Sequence, residues 1–168
     1  MKKLISSLFV AGLVTLASSQ LLAQTSVCGQ FHRTRCAMDG SKDDDREFLY
    51  NAQSKSGLFA QGSTSKLRCV VYKGMDYRLT VCAETDILGD NIQFKIYDGK
   101  TQEQLFDNTK EEGAKQFEFS SSTTRQLIIE VFIPSGETKG AKGKPLDAAC
   151  VGLLIEHKVS DRTGFSQY

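Results

Sequence analysis

Between Leu67 and Asp98 apolar and polar residues alternate in short runs bounded by glycine and aspartate. Leu67–Tyr72 and Tyr77–Cys82 flank Lys73-Gly74-Met75-Asp76, and Asn91–Asp98 follows a polar break at Glu84–Asp90 and ends on Gly99. A period of two places alternate side chains on opposite faces, so these runs predict antiparallel strands with one face buried. The first two read as a hairpin around the Lys73–Asp76 turn.

The same pattern predicts short strands at Phe48–Ala52, Gly57–Gln61, Gln104–Asp107 and Gln116–Ser120, with Phe117 and Phe119 sharing one face of the last. Arg125–Ile133 and Cys150–Ile155 differ, being apolar almost without interruption. A strand apolar on both sides is covered on both. Val27, Phe31 and Met38 recur near helical spacing before Asp39-Gly40, which predicts a helix over Val27–Met38 that packs on the outside of one sheet. Pro134–Leu146, with Gly136, Gly140 and Gly143 among Lys139, Lys142 and Lys144, reads as a surface loop. No repeat of 20 to 50 residues is present. Eight or nine short strands with frequent turn signals give the expected fold class: mainly β, an antiparallel sandwich of jelly-roll type with a short N-terminal helix packed on it.

Three stretches carry a resemblance: Tyr72–Val81, Phe94–Gly99 and Leu127–Val131. In turn pattern they resemble the bacterial pre-peptidase C-terminal type of β-sandwich, over roughly residues 60–133. The whole chain is similar to small exported proteins of Bacteroidetes-type bacteria, a family with no agreed activity to carry over. The resemblance implies a sandwich used as an accessory or binding module. Cys28, Cys36 and Cys150 fall outside the matched stretches.

The N-terminus changes the picture most. Met1-Lys2-Lys3, an apolar Leu4–Leu16 and a small-residue stretch Ala17–Ala23 have the layout of a secretory signal peptide, with cleavage expected after Ala23. The apolar stretch is too short and too broken for a membrane span. The expected organisation is therefore signal peptide 1–23, a cysteine-containing segment 24–45, a sandwich domain 46–158 and a tail 159–168. Without residues 1–23 the formal charge moves from +1 to −1. A near-neutral chain lacks the basic excess that phosphate binding requires, which argues against nucleic acid. The expected location is periplasmic or secreted, and the expected partner an envelope or extracellular protein or glycan.

Five cysteines follow the signal peptide: Cys28, Cys36, Cys69, Cys82 and Cys150. In an exported chain all are disulfide candidates, and the odd one is left unpaired or joins two chains. Pairing Tyr72 with Tyr77 would make Cys69 and Cys82 diagonal neighbours on one face, near bridging range. Cys28, His32 and Cys36 are spaced four apart and share one face of the expected helix. The two cysteines then stand about 12 Å apart, too far to bond each other. On a helix, either each cysteine staples it to a strand while His32 is exposed, or Cys28, His32 and Cys36 ligate zinc or copper(I); if the segment is not helical, a direct Cys28–Cys36 bridge becomes possible.

Other chemistry is thin. Asp39, Ser41, Asp43 and Asp45 have the alternate spacing of a calcium loop, but Asp44 replaces the required glycine and Tyr50 the required glutamate, which excludes an EF-hand. The only histidines are His32 and His157, and the hydrolase motifs Gly-x-Ser-x-Gly and His-Glu-x-x-His do not occur. Ser160 and Asp161 lie near His157 in sequence, but a triad is defined by spatial geometry. No catalytic residue, enzyme activity or cofactor is assigned. With no Trp, a sugar-stacking face would have to use Tyr50, Tyr72, Tyr77 or Tyr97.

Overall fold

The structure, a computed structural model, describes residues 28–37, 48–136 and 148–160. The signal peptide, the Asp39–Asp45 loop and the lysines at 139–144 lie outside the described residues. Nine strands are described: β1 (Leu49–Tyr50), β2 (Lys55–Ala60), β3 (Thr64–Val71), β4 (Met75–Ala83), β5 (Gln93–Asp98), β6 (Gln104–Asp107), β7 (Gln116–Ser121), β8 (Arg125–Phe132) and β9 (Ala148–Val159). One sheet has the order β1-β9-β4-β7, with β2 also against β9, and the other the order β3-β8-β5-β6. Every pairing is antiparallel. The chain crosses between sheets at β2–β3, β3–β4, β4–β5, β6–β7, β7–β8 and β8–β9. This is jelly-roll order: a two-sheet sandwich, as the alternation predicts.

The inner faces meet in a single core. Tyr77, Leu79 and Val81 of β4 and Val151, Leu153 and Ile155 of β9 come from one sheet; Cys69, Val71, Phe94, Ile96, Leu127 and Ile129 come from the other. Phe117 and Phe119 point the same way, stacked at 5.5 Å, and Phe106 of the facing sheet stacks on Phe117 at 4.2 Å.

Here the expected hairpin is corrected. β3 and β4 do not pair: β3 hydrogen-bonds β8, and β4 lies between β7 and β9. Alternation tells which residues face inward, and Leu67, Cys69, Val71, Tyr77, Leu79 and Val81 all do. Six inward residues can sit side by side on one sheet or face each other across a core, and the second arrangement buries both rows. The chain turns from one sheet to the other at Tyr72–Gly74. Gly74 takes φ +78 there, favourable only for glycine, and its N–H donates to Ser121 O. The Tyr72 N–H donates to the Tyr77 hydroxyl at 2.8 Å, which fixes the crossing.

β9 is covered on both faces, as its apolar run predicts. Its outer residues Cys150, Gly152 and Leu154 lie beneath the N-terminal segment, of which His32–Cys36 forms a π-wound turn. The expected helix is thus shorter than Val27–Met38 among the described residues. A Cβ on Gly152 would come within 2.8 Å of both His32 Cα and Cys36 Sγ. The missing side chain lets the turn lie directly on the strand.

Candidate functional site

One corner of the sandwich collects most of the chemistry: the N-terminal turn, the interrupted edge β1/β2, and the gap between β2 and β3. β1 and β2 continue one edge along β9, pairing Leu49 with His157 and Lys55 with Leu153. Asn51–Ser54 leaves the ladder between them. The Ser54 hydroxyl replaces the lost strand bonds, accepting Ile155 N–H at 2.9 Å and donating to Asn51 O at 2.7 Å. Gln53 reaches the other sheet. Its carbonyl accepts Val70 N–H at 2.7 Å and its amide donates to Val70 O at 3.0 Å, the two bonds a neighbouring strand would make. One end of the β3 edge is thereby capped.

The five cysteines are placed as follows. Cys28 bonds Cys150 and Cys36 bonds Cys82, with Cα–Cα distances of 5.4 and 5.1 Å. The turn is thus tied to β9 and to β4. Cys69 is a free thiol facing the core, and burial pushes its pKa up to about 11. The Cys69–Cys82 bridge does not form because the two strands lie in different sheets. A thiol sealed in the core offers no sulfur to a second chain, so Cys69 does not serve the expected disulfide-linked dimer.

The metal reading of Cys28, His32 and Cys36 is corrected by the same bonds. A disulfide sulfur is not a thiolate, and thiolate is the ligand such a site needs. His32 is also not exposed: it is 5% accessible. Ser56 Oγ accepts the His32 backbone N–H at 2.8 Å and also lies 2.7 Å from His32 Nδ1. His32 Nε2 faces the Tyr50 hydroxyl at 3.2 Å, so each ring nitrogen has a hydroxyl partner able to donate or accept. The two rings stack at 5.9 Å, and the Arg33 guanidinium lies 4.0 Å from the Tyr50 ring centroid. Burial, with Arg33 and Lys55 nearby, holds the His32 pKa below the ordinary histidine range. The imidazole is therefore neutral at pH 7, a clasp between the turn and the β1/β2 edge. A serine against a histidine is chemically suggestive, but the third group is a phenol and the ring is shut away from solvent.

Next to Ser56 the two sheets part. A slot of about 140 Å³ opens between β2 and β3, walled by Phe59, Leu67, Ile129, Val131, Val151 and Leu153, with Lys55, Ser56, Ser65 and Lys66 at its mouth. Lys66 pairs with Glu130 of β8 at 2.9 Å. Of the four tyrosines considered for sugar stacking, Tyr50 and Tyr72 are exposed, whereas Tyr77 is in the core. His157 belongs to β9 and its Nδ1 lies 3.5 Å from Asn51 Nδ2; Asp161 is outside the described residues.

Sequence reasoning missed Ser56, Gln53 and Lys55 as parts of this corner. The available signal was Gly57, a glycine inside a strand pattern, which marks an irregular edge or a close approach.

No protein-family model and no curated protein matches the chain. Among solved structures it is similar to the crystal structure of Aeromonas hydrophila PliG, a periplasmic lysozyme inhibitor of g-type lysozyme. The TM-score is 0.45 and the identity 15%, over 62% of this chain and 84% of that one.

Proposed function

We propose that this chain is an exported, non-catalytic β-sandwich binding or accessory module whose working surface is the β2–β3 corner. The observation that carries the reading is the slot itself: an apolar opening into the core, flanked by two edge strands and rimmed by cations. Concave apolar surface with a few polar groups at its mouth is what binding sites are made of. Two disulfides support export, since such bonds persist in oxidising compartments. The partner is an envelope or extracellular protein or glycan. The accessory role implied by the pre-peptidase-type resemblance belongs to the same proposal.

The test pairs capture with turnover. Immobilised protein is exposed to envelope and extracellular fractions, and a Ser65→Trp variant, which places a bulky ring at the slot, is run in parallel. A saturable partner that the variant no longer retains is the expected result. Hydrolysis of any member of an ester, peptide and glycoside panel, abolished by Ser56→Ala or His157→Ala, would overturn the non-catalytic reading.

A further inference from the structure

The four outer edges of the sandwich are not equally protected. An edge strand exposes unpaired N–H and C=O groups and is normally blunted by charge, shortness or a covering side chain. β3 carries Lys66 and Arg68 and is capped by Gln53. β7 carries Glu118, and β6 is only four residues long, with a register shift opposite it in β5. β2 has a charge only at Lys55. From Ser56 to Ala60 it reads Ser-Gly-Leu-Phe-Ala, and Leu58 is 63% accessible on its outer face.

The slot lies along this same run, which no strand among the described residues pairs on its outer side. Gly57 and Phe59 face inward with Val151 and Ala149, so a strand added beside β2 would carry its own inward side chains over the slot. An apolar cavity of about 150 Å³ accommodates a benzene ring, so this one matches a single large apolar side chain. Cations outnumber anions around it: Lys55 and Lys66 line the slot, Arg33 lies with Lys55 beside His32, and Glu130 answers Lys66 at 2.9 Å. A second copy would bring its own Lys55 and Lys66 to that mouth, and juxtaposed like charges are costly. An acidic segment meets the cation excess instead, with Lys55 as the charge that no described carboxylate answers.

Resting on the binding-module reading, we propose that the partner is a protein that adds an extended acidic segment to the free edge of β2 and inserts one large apolar side chain into the β2–β3 slot. Main-chain bonds to the edge supply affinity, while the slot and the cations supply selectivity.

The test uses the intact disulfide-bonded protein and a displayed library of random peptides about nine residues long, enough to span a strand. Enriched sequences are made synthetically, each with a version N-methylated at alternate residues. The expected peptides carry an acidic residue within two positions of a large apolar one, and they slow amide exchange over Ser56–Ala60. N-methylation on the edge-facing residues should weaken them by at least about tenfold, because it removes the ladder donors. Lys55→Glu should weaken them by at least about threefold.

The inference is overturned if nothing is enriched, if N-methylation changes nothing, or if enriched peptides lack acidic residues. It is equally overturned if sedimentation detects a concentration-dependent dimer that Leu58→Lys abolishes, which would make a second copy the occupant. Displacement of the peptides by equimolar hexanoate would assign the slot to a small amphiphile. Peptides that perturb only 84–92 or 108–114 overturn strand addition while leaving the binding reading intact. Substrate turnover alone bears on that broader reading.

Discussion

Gly152 is where the sandwich and its N-terminal cover come closest. A methyl group there would meet His32 Cα and Cys36 Sγ at 2.8 Å and Cys82 Sγ at 3.0 Å. Backbone and a disulfide cannot swing aside as a surface side chain can. Gly152→Ala should therefore cost about 1–3 kcal/mol, the usual range for an overpacked core, measured by urea unfolding. In a Cys36→Ala/Cys82→Ala background two of the three contacts are lost, and the penalty should shrink to under about 1 kcal/mol. Equal penalties in both backgrounds would mean that the contact is relieved by other means. His32 illustrates the limit of reading single residues. Its spacing from Cys28 and Cys36 points to one helical face and an exposed ring. Its actual partners, Ser56 on β2 and Tyr50 on β1, lie 24 and 18 positions away, and no local pattern encodes such a meeting.

Among the elements, inward-facing residues were legible and strand partners were not. Gln104–Asp107 coincides with β6, and Gln116–Ser120 and Arg125–Ile133 differ from β7 and β8 by one residue each. Alternation reports the face of a strand and is silent about its neighbour. The Lys73–Asp76 turn therefore read as a hairpin, although the chain crosses there from one sheet to the other. The N-terminal turn is too short to hold itself. Helices below about 12 residues are marginal alone, and this one spans five residues between its two disulfides. The bonds close separations of 122 and 46 residues. Chain entropy assigns about 5 and about 4 kcal/mol to such loops. The shorter loop is nested inside the longer, so the two contributions do not simply add. Cys36→Ala/Cys82→Ala should lower unfolding free energy by about 3–4 kcal/mol in urea melts. A loss below about 1 kcal/mol would leave the turn held by packing and the His32 clasp.

At the scale of the whole molecule, acid should act in two stages. His32 has its folded pKa below 6.5 through burial, Arg33 and Lys55. As pH drops below 6.5 the unfolded chain takes up that proton first, so stability declines until the folded pKa is passed. Asp98 lies below 3.8 because Thr101 N–H and Lys100 N–H donate to it, with Arg125 nearby. Asp107 lies below 3.8 mainly through Thr109, whose hydroxyl donates to it at 2.6 Å. For these carboxylates stability is complete above the unfolded pKa and is lost as pH falls through the folded one. Denaturant midpoints from pH 8 to 2 should fall once below 6.5 and again below 3.8, and His32→Gln should erase only the upper step. A single acid step shared by both proteins would mean that His32 is not the group responsible.

The position of β9 also bears on when the first-described sheet can close. It bonds β1, β2 and β4 and carries Cys150, yet it is the last described strand in the chain. The four strands of the β3-β8-β5-β6 sheet have all emerged by Phe132. Until residues 148–159 arrive, β2 and β4 have no strand between them and Cys28 has no native partner. A chain that folds as it emerges would have every strand of one sheet in hand before the closing strand of the other. An oxidant that acts during that interval finds Cys28 with only Cys36, Cys69 and Cys82 to join, and every one of those unions is wrong.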